Sequence, residues 1–431
     1  MAALLSPLRS RPFRWLLAGQ AFSLIGDRLN YLALVAVLSE RTSQFRTAGG
    51  AGTLSGLAVA LLLPAALLSP WAAGRIDRWA RRDVMIQADA ARAALTLGLA
   101  FAVPWLPTWG ALTLVGVGAV ANVFFLPARL AIVPELVRQD ELNPANALGL
   151  LASVLATLFG TLLGGPLLAL IGVRGALIAD AATFAISVLT LLQLPRRAAA
   201  DEDATGGLLR PAAPPVEAGA STPPTPRQAP GAASPRPLWP GARGFAELFR
   251  TERSVAAALL IWTTWIVGAL LHVCGTLRIQ ELSPRITDLL APALAAVGGG
   301  GAIGAAFFGS RLRRARSLLS GVGLWVAAVG LGLLALATDP AWIVAAAFVT
   351  GFATAPVYIL ADTELMEALP GSARGGAMAA RDFFCKAGFL LVALGLGRLA
   401  GPASAPGWIA GGAVALAALG AYYAVRRPLR S

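Results

Sequence analysis

FSLIGDRLNYLALV, residues 22–35, decides how this chain is read. It is apolar enough for the middle of a membrane helix, yet Asp27 and Arg28 stand side by side in it, with Asn30 and Tyr31 just beyond. A charge at bilayer depth costs at least a few kcal/mol. A spanning helix that keeps this pair must turn it toward protein or water.

The whole composition favours a spanning helix. The chain has 431 residues, 57% hydrophobic and 13% charged, whereas soluble domains carry about 25% charged residues. The apolar residues also fall in long uninterrupted runs, so the sequence describes a polytopic membrane protein. A formal net charge of +13 would suggest a nucleic-acid partner in a soluble chain. Here the arginines lie between the apolar runs and form no stripe with interleaved aromatics, so membrane topology accounts for them and no nucleic acid is expected. Cys274 and Cys385 both sit inside apolar runs, which points to small buried hydrophobes; neither a disulfide nor a metal site is expected. One histidine and two separated cysteines supply almost none of the convergent groups an enzyme needs, and no cofactor is called for. The first apolar stretch follows Arg9, Arg11 and Arg14, but it is too long for a signal-peptide core and should stay as the first helix.

A spanning helix needs about 20 apolar residues. Such runs fall at 13–38, 52–73, 84–104, 109–128, 145–171, 173–194, 255–279, 288–309, 317–337, 341–361, 376–400 and 406–425. The fold class is therefore all-α and integral to the membrane, with twelve transmembrane helices in two six-helix, pseudo-symmetric halves. Residues 195–253 separate the halves 1–194 and 254–431. This segment opens with a stretch rich in Pro, Ala and Gly, which reads as a tether. It closes on GFAELFRTERS, where Phe245, Leu248 and Phe249 set against Arg243, Glu247 and Arg250 suggest a short amphipathic helix on the membrane surface. With the N-terminus inside, roughly 27 basic residues fall on the inner side and about six on the outer, which the positive-inside rule reads as both termini cytoplasmic.

Two motifs narrow the class. AGRIDRWARRDVM, residues 73–85, resembles the cytoplasmic loop motif of the major facilitator superfamily, in which small residues precede Asp-Arg and two further basic residues follow. Asp77, Arg78, Arg81 and Arg82 match the charged positions, while Ala73 and Ala80 stand where the family has glycines. The resemblance implies that the basic residues latch neighbouring helices in the outward-facing state. The corresponding GSRLRRARS at 309–317 keeps the glycine and arginines without the Asp. Residues 127–172 resemble the macrolide and siderophore exporter group of that superfamily: Pro134, Glu135 and Leu136 fit its Pro-Glu-Leu, and 145–148 its Ala-Asn-Ala-Leu. Gly160, Gly164 and Gly165 fit its Gly-rich fifth helix, with Thr161 in place of a proline; small residues four apart let helices approach closely. Within the group, the lysophospholipid flippase branch is similar at GDRLNYLALVAVL, LPARLAIV and GTLRIQEL. That likeness places Asp27, Arg129 and Arg278 on its membrane-embedded charged positions.

Spacing makes the first span a surface. Gln20, Ser23, Asp27, Asn30 and Tyr31 recur at three and four residues, so they share one stripe. Asp27 lies about 21 Å along the run, near the midplane where transporters of this build place substrate and coupling sites. Arg28 points about 100° away and is expected to face a structural partner in another helix. An Asp in a poorly hydrated cavity suits a proton-coupled step; one reached by an arginine stays ionised and can hold a cation or a substrate ammonium. Arg129 and Arg278 would offer cationic contacts at the two mouths. GGGAIG at 299–304 satisfies GxGxxG, but it lies in an apolar span and reads as helix packing. His272 reads as a buried or substrate-contacting side chain, and Asp362, Glu364 and Glu367 as a solvated face near the inner surface.

The resulting expectation is a monomeric secondary transporter of the inner or plasma membrane that works by alternating access, coupled to a proton or cation. It would export a lipophilic or amphipathic small molecule, or, as the alternative, flip a lysophospholipid. A non-transporting scaffold would have little reason to keep a polar stripe at the midplane, and a cavity beside Asp27 separates the two.

Overall fold

The computed structural model describes residues 5–41, 49–76, 79–195, 246–309, 316–369 and 374–425. Asp77 and Arg78 of the expected latch, most of its second-half counterpart, and residues 196–245 lie outside that set. Among the described residues every regular element is helical, as a bilayer demands of backbone groups that have no water to bond.

The first half comprises α1 (Arg11–Arg41), α2 (Gly49–Ile76), α3 (Arg81–Ala102) and α4 (Thr108–Leu136), followed by one long run, Leu142–Leu191. That run is broken at Gly172, which has φ +68° and is the single non-helical residue inside it. A side chain there would be strained, so glycine makes the reversal possible; α5 (142–171) and α6 (173–191) are its two arms, and the break falls where the apolar pattern put it. The second half comprises α7 (Glu252–Leu282), α8 (Ile286–Gly309), α9 (Arg316–Leu336), α10 (Pro340–Ala368), α11 (Arg374–Leu399) and α12 (Ala405–Val425). Among the described residues, ten helices are long and apolar enough to cross a membrane. Taking α5 and α6 separately and adding α11, whose run is diluted by Arg381, Asp382 and Lys386, accommodates all the expected spans. The start of α1 and the end of α12 then fall at one end of the bundle, here called the terminal face.

The halves repeat one plan. In the first, α3 packs on α4 and α6 and α2 packs on α4; in the second, α9 packs on α10 and α12 and α8 on α10. The glycines that satisfy GxGxxG explain the α8–α10 contact: a Cβ added at Gly304 would sit 2.1 Å from the carbonyl oxygen of Phe352. Close helix approach is their role.

Between halves, α2 meets α11 and α5 meets α8. Gly165 lets α5 approach α8, since a Cβ there would lie 2.8 Å from Ala291 Cβ. The polar inter-half contacts among described residues lie in the half of the bundle remote from the terminal face. Ser39 Oγ donates to Gln280 Oε1 at 2.8 Å, Tyr31 Oη bonds His272 Nδ1 at 3.0 Å, and Ser55 Oγ donates to the Ala393 carbonyl. Of the segment expected to form an amphipathic helix, residues up to 245 lie outside the described set, and 246–248 are helical. Leu248 is buried, and Phe249 stands edge-on to Phe384 with ring centroids 5.5 Å apart.

Candidate functional site

Asp27 lies on the wall of a cavity. The space is about 290 Å³ and is walled by α1, α2, α3, α4 and α6, all of the first half; its polar lining is Asp27, Arg28, Asn30, Tyr31, Arg92, Thr96 and Asn122. Gly26 allows the wall to close: a Cβ there would lie 2.1 Å from Thr183 Oγ1 and 2.4 Å from Asp180 Oδ1, so α1 and α6 touch beside the acid.

The partner of Asp27 comes from α3. Arg92 Nη2 donates to Asp27 Oδ1 at 2.5 Å, and Arg92 Nη1 lies 3.5 Å from Asp89 Oδ1, one helical turn back. Ser187 Oγ donates to Asp89 Oδ2 at 2.5 Å, and the guanidinium sits 4.0 Å from the centre of the Phe184 ring. On the other side, Asn30 Nδ2 donates to Asp180 Oδ2 at 2.6 Å. Asp89 and Asp180 are fully buried, at 0% exposure, whereas the Asp27 side chain is 34% exposed. One guanidinium thus serves two carboxylates, an enclosed one and an open one. A proton or cation arriving at Asp27 would release Arg92 toward Asp89, so the arrangement has two electrostatic states within one cluster.

The expected stripe divides along its length. Gln20 and Ser23 are buried, and Gln20 Nε2 donates to Ser153 Oγ on α5 at 3.3 Å, so that end is helix packing. Asp27, Asn30 and Tyr31 line the cavity. Arg28 corrects the expectation that it faces elsewhere: it lines the same cavity, and its Nε is buried with no hydrogen-bond partner among the described residues. Neighbouring Cβ directions do diverge by about 100°, but several helices enclose α1 here and a four-bond stem lets the guanidinium reach round. Gly160 makes room for that stem, since a Cβ on it would lie 3.1 Å from Arg28 Cβ, and Gly164 receives Leu32.

Arg129 and Arg278 do not join the site. Arg129, on α4, is absent from the cavity wall, and no hydrogen bond or ion pair engages it among the described residues. Arg278 is held at the far end of α7, donating to Glu281 Oε2 and to the Ala337 carbonyl at 2.5 Å each. His272 sits in a π-helical turn, Leu271–Gly275, in α7. Its Nε2 lies 2.9 Å from the Leu54 carbonyl. A carbonyl only accepts, so Nε2 carries the proton in that bond and Nδ1 is left to accept from Tyr31.

At the terminal face the two motifs meet. Arg81 pairs with Glu135, the acid of Pro-Glu-Leu. Arg82 donates to the carbonyls of Leu191 at 3.1 Å and Leu192 at 2.9 Å, binding the unpaired end of α6 as cations do at helix C-termini. In the second half, the acids expected to be a solvated face are paired. Arg253 reaches Glu364 and Glu367 at 3.3 Å each, and Arg381 pairs with Asp362. Glu364 and Glu367 stay open to solvent in these pairs, with side chains 28% and 46% exposed, so pairing and solvation coexist there. Among the described residues no group of His, Cys, Asp and Glu is arranged to hold a metal ion.

Comparison with known proteins agrees with this architecture. A family model described as Major Facilitator Superfamily matches residues 16–392. Macrolide efflux protein A of Streptococcus pyogenes is 33% identical over 130 residues, 29% of this chain and 30% of that protein. Lysophospholipid transporter LplT of Yersinia pestis (strain Pestoides F) is 30% identical over 200 residues, 46% of each. The chain therefore spans less than half the length of these relatives. The crystal structure of nucleoside transporter NupG superposes with a TM-score of 0.66 at 15% identity, covering 97% of this chain and 100% of that one. That likeness concerns the fold.

Proposed function

The chain belongs to the Major Facilitator Superfamily, and on that premise we propose that it exports a lipophilic or amphipathic small molecule by rocking the halves 1–194 and 254–431 about their shared contacts. The observation that carries this reading is the Asp27–Arg92–Asp89 cluster beside a midplane cavity. A scaffold has no use for a charged cluster next to empty space at that depth. The coupling element is Asp27. It holds Arg92 when empty and exchanges it for a coupling proton or cation when loaded, which biases the two halves between states.

The inter-half bonds Ser39–Gln280 and Tyr31–His272 supply the closure remote from the terminal face. The arginine bias puts that face in the cytoplasm of a plasma or inner membrane, so the arrangement is closed outward; in the opposite, outward-facing state Arg81 and Arg82 act in the latch with Asp77 and Arg78. The transporter works as a monomer.

Likeness to LplT over 46% of the chain favours a second reading, flipping of a lysophospholipid. Purified full-length protein in proteoliposomes, given a labelled macrolide in one set and a labelled lysophospholipid in another, separates the two. Gradient-dependent macrolide movement with static lipid supports export, the converse supports flipping, and movement of neither across a wider amphipath panel overturns transport.

A further inference from the structure

Four of the polar side chains on the Asp27 cavity are already engaged. Asp27 and Arg92 hold each other at 2.5 Å, Asn30 donates to Asp180, and Tyr31 bonds His272. The other three, Arg28 on α1, Thr96 on α3 and Asn122 on α4, line the same space. None of them makes a side-chain hydrogen bond or ion pair among the described residues. Of the Arg28 guanidinium nitrogens only Nε is enclosed, so the two Nη nitrogens are left accessible on that wall.

The unmatched groups have a sign. The charges on the wall are Asp27, Arg28 and Arg92; Asp27 and Arg92 offset each other, and Arg28 is left over. Asp89 and Asp180 stand behind the wall, where Arg92 and Ser187 hold the one and Asn30 and Thr183 the other. A cation kept at membrane depth without a counter-charge is costly, and a spanning helix that retains one has a use for it. A planar carboxylate meets it best, accepting two parallel bonds from the Nη pair. An ammonium finds no free acid on the wall, because Arg92 holds Asp27. A second negative charge on the ligand would face Asp27, whose side chain is 34% exposed there. One negative charge is therefore the match.

The rest of the wall is apolar, with Leu61, Leu95, Leu114 and Phe184 on four different helices. Its volume of about 290 Å³ stands at the small end of ligand pockets, roughly 300–1,000 Å³, which is room for one ring system or a short chain. We infer that the molecule exported is a small amphipathic monoanion, an inference that rests on the export reading. Its carboxylate lies on Arg28 and its apolar body against α2, α3, α4 and α6, with Thr96 and Asn122 as neutral hydrogen-bonding partners. Arg28 selects the sign of the cargo, and Asp27 keeps the separate task of coupling.

The test is equilibrium binding to full-length protein in detergent, with protein-free micelles subtracted, of three tritiated probes that share one body: naphthaleneacetate, its amide, and naphthylethylammonium. The acid should bind at least about tenfold more tightly than the amide, the scale of a bond to a charged group, and the ammonium no more tightly than the amide. Arg28→Gln should remove the preference and Arg28→Lys should retain part of it, while Arg129→Gln, off the cavity wall, should leave it unchanged. Neither Arg28 variant breaks a hydrogen bond, so both should fold, which size-exclusion chromatography checks. Equal binding of acid and amide, tighter binding of the ammonium, a preference that survives Arg28→Gln, Arg28-dependent binding of lysophosphatidylcholine tighter than that of the acid, or no saturable binding of the acid would overturn the proposal. Arg28-dependent binding of the acid without its movement in proteoliposomes would instead overturn the export reading and leave the anion site in place.

Discussion

Arg92→Gln is the perturbation whose consequence follows most directly from the geometry. Arg92 is 11% exposed and stands between Asp27 and Asp89. Removing its charge strands Asp89, which is fully buried and keeps only the Ser187 hydroxyl. Breaking a buried pair from one side costs about 3–5 kcal/mol. Loss of the guanidinium over Phe184, 4.0 Å from its centre, adds about 1 kcal/mol. Asp27 contributes less, because it is one-third open and can recruit water. The variant should therefore lose about 4–6 kcal/mol, read as a lower midpoint in mixed-micelle denaturation followed by tryptophan fluorescence. The second change discriminates. Asp89→Asn in the Arg92→Gln background removes the stranded charge and should recover at least half of the loss, whereas Asp27→Asn in that background should recover little. A loss under about 1 kcal/mol, the scale of an exposed pair, or equal recovery by either second change, would refute the assignment of Asp89 as the enclosed partner.

Other expectations follow from single contacts. Gly304→Ala places a Cβ 2.1 Å from a backbone oxygen of α10, so α8 and α10 must part and the variant should lose about 1–3 kcal/mol, measured by thermal unfolding in detergent. Gly300→Ala meets the same helix at the Phe348 carbonyl; because one separation relieves both clashes, the double variant should cost less than the sum. Tyr31→Phe together with Gln280→Leu removes two inter-half bonds and should raise alkylation of a cysteine introduced at Asn122, on the cavity wall, from the side remote from the terminal face. Arg278→Gln should lower stability through the freed Ala337 carbonyl and leave the substrate KM unchanged, since that guanidinium lies away from the cavity.

The fold is legible in the sequence because hydropathy is written in runs. Even the α5–α6 reversal shows as a glycine between two apolar stretches, although the helical geometry is otherwise continuous there. Asp27 is legible too, since an ionisable residue in a spanning run marks a site. The same rule applies to Asp89 and Arg92 in the third run and Asp180 in the sixth, but their partnership with Asp27 is hidden, because contacts between helices 65 or 150 residues apart leave no local period. Gln20 shows the opposite failure. Periodicity gives a face, but only packing decides that one end of it meets α5 and the other a cavity. The expected roles of Arg278 and Arg129 rest on short resemblances, which carry residue type without neighbours, and the neighbours put Arg278 in a clamp at the end of α7.

The central claim is that Asp27 couples the cavity to movement of the halves. Gradient-driven uptake of the identified substrate into proteoliposomes, compared between the natural protein and Asp27→Asn at matched reconstitution, tests it most directly. The side chain is one-third exposed, so the amide should be tolerated and the fold retained. The account predicts that Asp27→Asn still binds substrate, seen as thermal stabilisation that rises with ligand concentration, but no longer accumulates it against a gradient. Accumulation at the natural rate in Asp27→Asn would contradict it.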